Sequence, residues 1–308
     1  MIRALLLLGL LAGCTAGGPL PAPSTASTLA PPAETIEGAA GPLALSRWGP
    51  EAPEAVILAL HGFGDYGPST FGRAAEAWAD VGIATYAYDQ RGFGRNPSRG
   101  FWPGADALAD DAVATAKEIR ARHPCTAVTL IGHSMGGGVA LAATSRLTGT
   151  VDALVLAAPA IWGGEALNPL HRMAAWMTAA LVPERRFTGR GIVRIQPSDN
   201  IAMLRELGRD PLHLGPPSAR EILGLVRVVD GAAEAAPEAT LPALLLLGER
   251  DEIVPNRTVA RVFESVPGPR QIIRYDEGWH MLFRDLQAAR VWEDVADYAL
   301  DQPSPACG

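Results

Sequence analysis

From residue 55 onward the chain alternates short apolar runs, bounded by glycine and proline, with longer stretches of helical period. Ala55 to Leu60, Ile83 to Tyr88, Ala127 to Ile131, Ala153 to Ala158, Ala243 to Leu247 and Gln271 to Tyr275 are apolar on both faces, the mark of strands buried on both sides. Helical patterns lie between them, at about 69–80, 105–122, 135–147, 256–266 and 283–300. Strands that alternate with helices need crossover connections, so the chain is predicted to form an α/β fold: a mostly parallel central sheet flanked by helices. Thr35 to Trp48 is expected to add one or two antiparallel edge strands. With 48% apolar and 19% charged residues over 308 positions, there is ample material for one large core, which excludes a disordered body.

The alternation breaks between residues 160 and 240, where no strand-like run appears. Leu170, Met173, Trp176, Met177, Ala180 and Leu181 recur there at helical spacing on one side. Such a face is expected to pack against its own domain or to cap a greasy pocket, with Trp162, Met173, Trp176 and Met177 as candidate lining residues. The expected organisation is a core of residues 34–159 and 241–302 with a helical insert at 160–240.

The start of the chain reads as an address. Met1-Ile2-Arg3 supplies one positive charge, and Ala4 to Ala12 is an apolar run of signal-peptide length, too short to span a membrane. It ends Leu11-Ala12-Gly13-Cys14, which resembles the lipobox of bacterial lipoproteins. That resemblance implies a signal peptide at residues 1–13, acylation of Cys14, and a lipid-anchored protein of the bacterial cell envelope. With Thr15 after the cysteine, it implies the outer membrane, facing the periplasm, in a Gram-negative host. Thr15 to Pro32, rich in small residues and proline, would be the tether within residues 14–33. The remaining cysteines, Cys125 and Cys307, are a candidate disulfide that such an oxidising compartment permits.

The net charge of −7 and the lack of any Lys/Arg run longer than two argue against a nucleic-acid partner. His123, His171 and His213 show no ligand-like spacing, so no metal is expected.

The chemistry-bearing motif is Gly132-His133-Ser134-Met135-Gly136, which follows the strand-like Val128 to Ile131 and precedes an alanine-rich helical stretch. A serine on so tight a strand-turn-helix junction is exposed as a nucleophile, and the N-terminus of the following helix favours negative charge at its oxygen. A serine hydroxyl needs a base, and the base needs an orienting acid. His280 closes Asp276-Glu277-Gly278-Trp279-His280 after the last strand, and Asp251 closes Gly248-Glu249-Arg250-Asp251 after the preceding one. Both therefore fall beyond strand C-terminal ends, where open parallel sheets place their sites. Glu252, next to Asp251, is the alternative acid. The amides of Phe63, in His61-Gly62-Phe63-Gly64, and of Met135 are candidate oxyanion donors. His61 is expected to be a buried structural residue under that loop, and His133 to pack beside the elbow.

His61 to Gly64, Tyr88 to Arg95 (YDQRGFGR), the elbow at Ser134, Gly248 to Asp251 and the loop ending at His280 together resemble the monoacylglycerol lipase and lysophospholipase branch of the α/β-hydrolases. The order Ser134, Asp251, His280 is that of the superfamily. The resemblance implies an α/β-hydrolase fold with an inserted helical cap. It also implies a serine carboxylic-ester hydrolase that acts on small acyl esters and needs no cofactor. Ser134 would be the nucleophile, Asp251 the acid and His280 the base. A peptidase or amidase of the aminopeptidase type, and a non-catalytic lipoprotein that binds an apolar ligand, are the other readings. Where relatives carry an acidic residue and a histidine after H-G-x-G, this chain has Asp65 and Tyr66, and Phe93 replaces the usual histidine of the R-G-x-G segment. Both departures are expected to reshape the pocket mouth.

Overall fold

The computed structural model describes residues 34–163, 169–187 and 195–306. The expected signal peptide and linker, with Cys14, and also Cys307 lie outside the described residues. Cys125, in the turn before the fifth strand, is disulfide-bonded.

Eight strands among the described residues form one sheet: β1 (Glu34–Gly38), β2 (Gly41–Trp48), β3 (Ala55–Leu60), β4 (Ile83–Tyr88), β5 (Ala127–His133), β6 (Ala153–Ala157), β7 (Ala243–Gly248) and β8 (Arg270–Tyr275). Their order across the sheet is β1-β2-β4-β3-β5-β6-β7-β8. Only β1/β2 and β2/β4 pair antiparallel, and every later pair is parallel. The chain runs outward from β3 to β4, then returns to place β5 on the other side of β3. That reversal is the switch point where ligands of doubly wound sheets bind.

Side-chain alternation along the strands divides the core in two. Val56, Leu58 and Leu60 of β3 face one layer, while Ala55, Ile57 and Ala59 face the other. The first layer is covered by α2 (Ala105–Arg122) and α3 (Met135–Ala142), through Leu108, Ala112 and Ile119 and through Val139 and Leu141. The second is covered by α1 (Gly67–Asp80), through Phe71, Ala74, Ala75 and Trp78, and by the last helix, through Val291, Val295 and Ala299. Trp78 is fully buried and its indole N–H donates to the Trp292 carbonyl at 2.9 Å, so its bulk carries no unsatisfied donor. Truncating a side chain of this size in such a place costs about 3–5 kcal/mol.

Three boundaries or environments differ from the sequence expectation. The β8 strand was expected to be buried on both faces, but only Tyr275 is buried: β8 is the sheet's edge, with no strand beyond it among the described residues. The helix after the elbow stops at Ala142 and tightens into a 3-10 turn at Thr144–Arg146, because the chain must reverse to enter β6 at Ala153. The last helix, α8 (Ala288–Leu300), begins later than expected. Residues 281–287 instead fold into turns in which Arg284 and Asp285 both donate their amides to the Met281 carbonyl, at 2.7 and 3.0 Å.

Between β6 and β7 lie α4 (Pro169–Leu181), α5 (Ile201–Leu207) and α6 (Ala219–Ala235), while α7 (Asn256–Glu264) follows β7. A full capping box starts α6, in which Ser218 and Glu221 each bond the other's backbone amide. This helix packs on α3, and α4 packs on α6. Of the two expectations for the apolar stripe of α4, packing against its own domain is not met: Met173, Trp176, Met177 and Leu181 are 53%, 58%, 47% and 76% exposed. The helix lies against α6, and no described element covers this stripe. Trp162, by contrast, is half-buried against the main core.

Candidate active site

The register of the sheet assembles the site. Leu60, Gly132 and Leu156 stand in one row across β3, β5 and β6, so the segments that follow these strands leave from a common edge. Ser134 takes up φ 52° and ψ −116°, a left-handed conformation that costs a non-glycine residue about 1–3 kcal/mol. The surroundings hold it there: its amide donates to the Ala157 carbonyl at 2.9 Å, and its carbonyl accepts from the amides of Gly137, Gly138 and Ala160 at 3.0, 3.2 and 2.9 Å. Gly136 lets α3 lie against β3, since a Cβ there would stand 2.1 Å from the Leu60 carbonyl oxygen.

His280 meets both expected partners. Its Nδ1–H donates to Asp251 Oδ2 at 2.8 Å, and its Nε2 accepts the Ser134 hydroxyl at 3.0 Å. Asp251 and His280 are buried, whereas Ser134 is partly open to solvent. The two loops meet because Gly248 has no side chain: a Cβ there would lie 2.4 Å from the Trp279 carbonyl oxygen. The Arg250 amide then donates to the Gly278 carbonyl at 2.8 Å. Burial by itself would raise the Asp251 carboxyl. His280 and the amides of Val254 and Ile253, bonded to its Oδ1 at 2.9 and 2.7 Å, outweigh burial and hold the carboxyl below its ordinary value. Glu252 points elsewhere and accepts the amide of Gln196 at 2.8 Å.

The loop His61 to Gly64 lies over the elbow. A side-chain carbon at Gly62 would stand 3.4 Å from Ser134 Cβ. Among the described residues, the amides of Phe63 and Met135 have no protein acceptor, so both remain free to donate to a group beside Ser134. His61 is fully buried under the loop: its Nδ1–H donates to the Gly62 carbonyl and its Nε2 accepts the Gln90 amide, both at 2.8 Å. Burial depresses its basicity. His133 packs its ring 5.2 Å from that of His280 and donates Nε2–H to the His280 carbonyl at 2.9 Å. Burial, helped by the nearby His280, lowers His133 to about 3.

The two departures from the family pattern fall in different places. Phe93 does not reach a pocket mouth: it is buried, edge-on to His61 and Phe63, and is part of the core under the loop. Tyr66 reaches the insert and donates its hydroxyl to Asp210 Oδ2 at 2.6 Å. Asp65 is buried against Arg284, which also donates to Ser69 Oγ at 3.0 Å. Burial pushes the Asp65 carboxyl up, but Arg284, with His61, Ser69 and His213, overcomes this and holds it at about 2.

Arg284, Asp285 and Ser198 were not singled out from the sequence. Asp285 is buried, with Oδ1 accepting the Ser198 hydroxyl at 2.6 Å and Oδ2 accepting the Trp279 amide at 2.8 Å. A charged pair reads as solvated unless its partners are known, and these partners lie 87 and 219 positions away. Among the described residues no cluster of His, Cys, Asp and Glu could hold a metal ion.

The family model of Hydrolase_4, serine aminopeptidase, S33, matches residues 51–287. A monoacylglycerol lipase of Mycolicibacterium smegmatis is 24% identical over 265 residues, covering 82% of this chain and 90% of that one. A monoglyceride lipase of Rattus norvegicus is 26% identical over 245 residues, covering 78% and 80% respectively. Among solved structures, the monoacylglycerol lipase of Paleococcus ferrophilus superposes with a TM-score of 0.71 at 20% identity, over 84% of this chain and 98% of that one. A soluble variant of the Saccharomyces cerevisiae monoglyceride lipase, in complex with a substrate analog, gives 0.72 at 19% identity, over 93% and 100%. These structural likenesses establish the α/β-hydrolase fold.

Proposed function

The chain belongs to the Hydrolase_4 family, the serine aminopeptidases S33, and from that membership we propose that it is a serine carboxylic-ester hydrolase acting on monoacylglycerol- or lysophospholipid-like acyl esters. The observation that carries the proposal is the relay from Asp251 through His280 to a conformationally strained Ser134, with contacts of 2.8 and 3.0 Å. The ester substrate class draws its support from the relatives named monoacylglycerol and monoglyceride lipase.

In the proposed cycle, His280 Nε2 takes the hydroxyl proton as Ser134 Oγ bonds to the ester carbonyl carbon. The carbonyl oxygen becomes an oxyanion and accepts hydrogen bonds from the Phe63 and Met135 amides, each donor being worth about 10²- to 10³-fold in rate. The bond to the alkoxy oxygen breaks, and His280 returns the proton to that oxygen, which releases the alcohol. Water then loses a proton to His280 and attacks the acyl-Ser134, and the acid leaves as Ser134 regains its proton. Asp251 fixes the imidazole tautomer and stabilises its cation throughout.

We further propose that Cys14 carries the lipid anchor in the cell envelope, that Cys125 pairs with Cys307, and that residues 160–240 cap the substrate. Incorporation of labelled palmitate into the full chain, lost in Cys14→Ala, tests the anchor.

Ser134→Ala is expected to lower p-nitrophenyl butyrate turnover by about 10³- to 10⁶-fold with Tm retained. Intact turnover overturns the mechanism. Faster turnover of a prolyl-arylamide than of acyl esters moves the assignment to a peptidase, and failure of the wild type to react with a fluorophosphonate leaves a binding protein.

A further inference from the structure

Three consecutive backbone groups around His280 are held from three directions. The Trp279 amide donates to Asp285 Oδ2 at 2.8 Å, the His280 carbonyl accepts from His133 Nε2–H at 2.9 Å, and the Met281 amide donates to the Pro197 carbonyl at 3.0 Å. The first hold comes from the same loop, the second from the elbow and the third from the segment between β6 and β7.

That segment reaches the loop at several further points. Ser198 is fully buried and donates its hydroxyl to Asp285 Oδ1 at 2.6 Å, while the Asn200 amide donates back to Ser198 Oγ at 3.1 Å. Asn200 Nδ2 donates to the Arg284 carbonyl at 3.0 Å, and the Leu286 amide donates to Asp199 Oδ1 at 2.9 Å. Asp285 lies at the centre of this lacing and has no cationic partner among the described residues, since neighbouring Arg284 is engaged by Asp65. The groups that face it are Ser198, the Trp279 amide, Asp199 and His280. Burial pushes its carboxyl up to about 6. A buried carboxylate without a counter-charge is expensive to maintain. What it supplies that an apolar residue could not is a pair of acceptors, one on the residue before His280 and one on the segment from β6 to β7.

We infer that Asp285 is a positioning residue for His280, and that through Ser198 it couples residues 197–200 to the placement of the imidazole over Ser134. The imidazole meets the hydroxyl at 3.0 Å, so a backbone shift of about 1 Å at Trp279 carries Nε2 out of hydrogen-bond range and breaks the proton relay. Movement of the 197–200 segment is therefore transmitted to the base. This inference rests on the ester-hydrolase reading above.

The test uses the full chain with p-nitrophenyl butyrate as substrate and a fluorophosphonate as active-site label. Asp285→Asn is expected to lower kcat per labelled site by about 10- to 100-fold with KM within about twofold, and to displace the acid limb of the kcat/KM pH profile. Asp285→Glu restores part of the loss. Ser198→Ala lowers kcat several-fold, and adding it to Asp285→Asn lowers kcat little further, because the two act through one contact. If Asp285→Asn does not fold, Ser198→Ala carries the test alone. A labelled wild type whose kcat and pH profile are unchanged in the variants that fold, whatever their Tm, overturns this inference and leaves the hydrolase reading standing. A wild type that takes no label overturns the hydrolase reading and this inference with it.

Discussion

Helices α3 and α4 are both rich in apolar residues, one leading away from the elbow and the other in the segment between β6 and β7, yet they end in opposite environments. Met135, Val139 and Leu141 of α3 are buried, between the sheet and α6. Met173, Trp176, Met177 and Leu181 of α4 are exposed. Composition separates the two only in part: α3 is apolar all round, whereas α4 carries His171 and Arg172 beside its apolar stripe. The difference is the number of partner surfaces: α3 is covered from two sides, while among the described residues the main partner of α4 is α6, and burial requires something to be buried against. The stretch that carries Ser134 is accordingly over-determined, and the stretch near α4 is not.

The comparison can be broken by substitution. The largest effect is expected from Arg284→Met, which leaves Asp65 buried without its cation and costs about 3–5 kcal/mol in urea unfolding. A loss below about 1 kcal/mol would mean that the loop over the elbow is not pinned as the contacts indicate. Next comes a matched pair of leucines. Leu141→Ala is expected to cost about 2–5 kcal/mol, and Leu181→Ala less than about 0.5 kcal/mol. Equal losses would mean that a partner covers α4 and that the contrast is false.

Glycine sharpens the same point. Gly136→Ala drives a Cβ to 2.1 Å from a backbone oxygen, which no rotamer relieves, and is expected to cost about 1–3 kcal/mol together with most of the esterase activity. Gly231→Ala, inside α6 with nothing within 4 Å of the new carbon, is expected to raise stability by about 0.4–1 kcal/mol.

The smallest effect is a pair of opposing pH slopes. Asp65, held at about 2 in the fold, stabilises the protein above its ordinary value of 3.8, and this contribution is lost as pH falls from about 4 to about 2. Asp285, raised to about 6, binds its proton more tightly folded than unfolded, so its contribution declines as pH rises from about 4 to about 6. Asp285→Asn should flatten the second slope and leave the first; a change in the first alone would contradict the assignment.

Much of this molecule was legible one segment at a time. Buried strands such as β3 and β4 announce themselves as unbroken apolar runs, and α2 as a periodic stretch with the boundaries observed. Gly132 to Gly136 marks the elbow because strand, tight turn and helix follow within a dozen residues. The identity of β8 as an edge was not legible, since strand order emerges only from pairing, and neither was the core position of Phe93, since its neighbours His61 and Phe63 come from another loop.

The sequence by itself determined the α/β class and the boundaries of β3 and β4, and it marked the residues now found within hydrogen-bond reach at the sheet edge, because each rests on local pattern and chain order. Tertiary structure alone decided which carboxylate meets His280, how Ser198 and Asp285 brace that loop, and that the apolar stripe of α4 faces outward. The physical reason is that the partner of a buried charge or an apolar face is supplied by chain far removed in sequence, and only folding brings the two into contact.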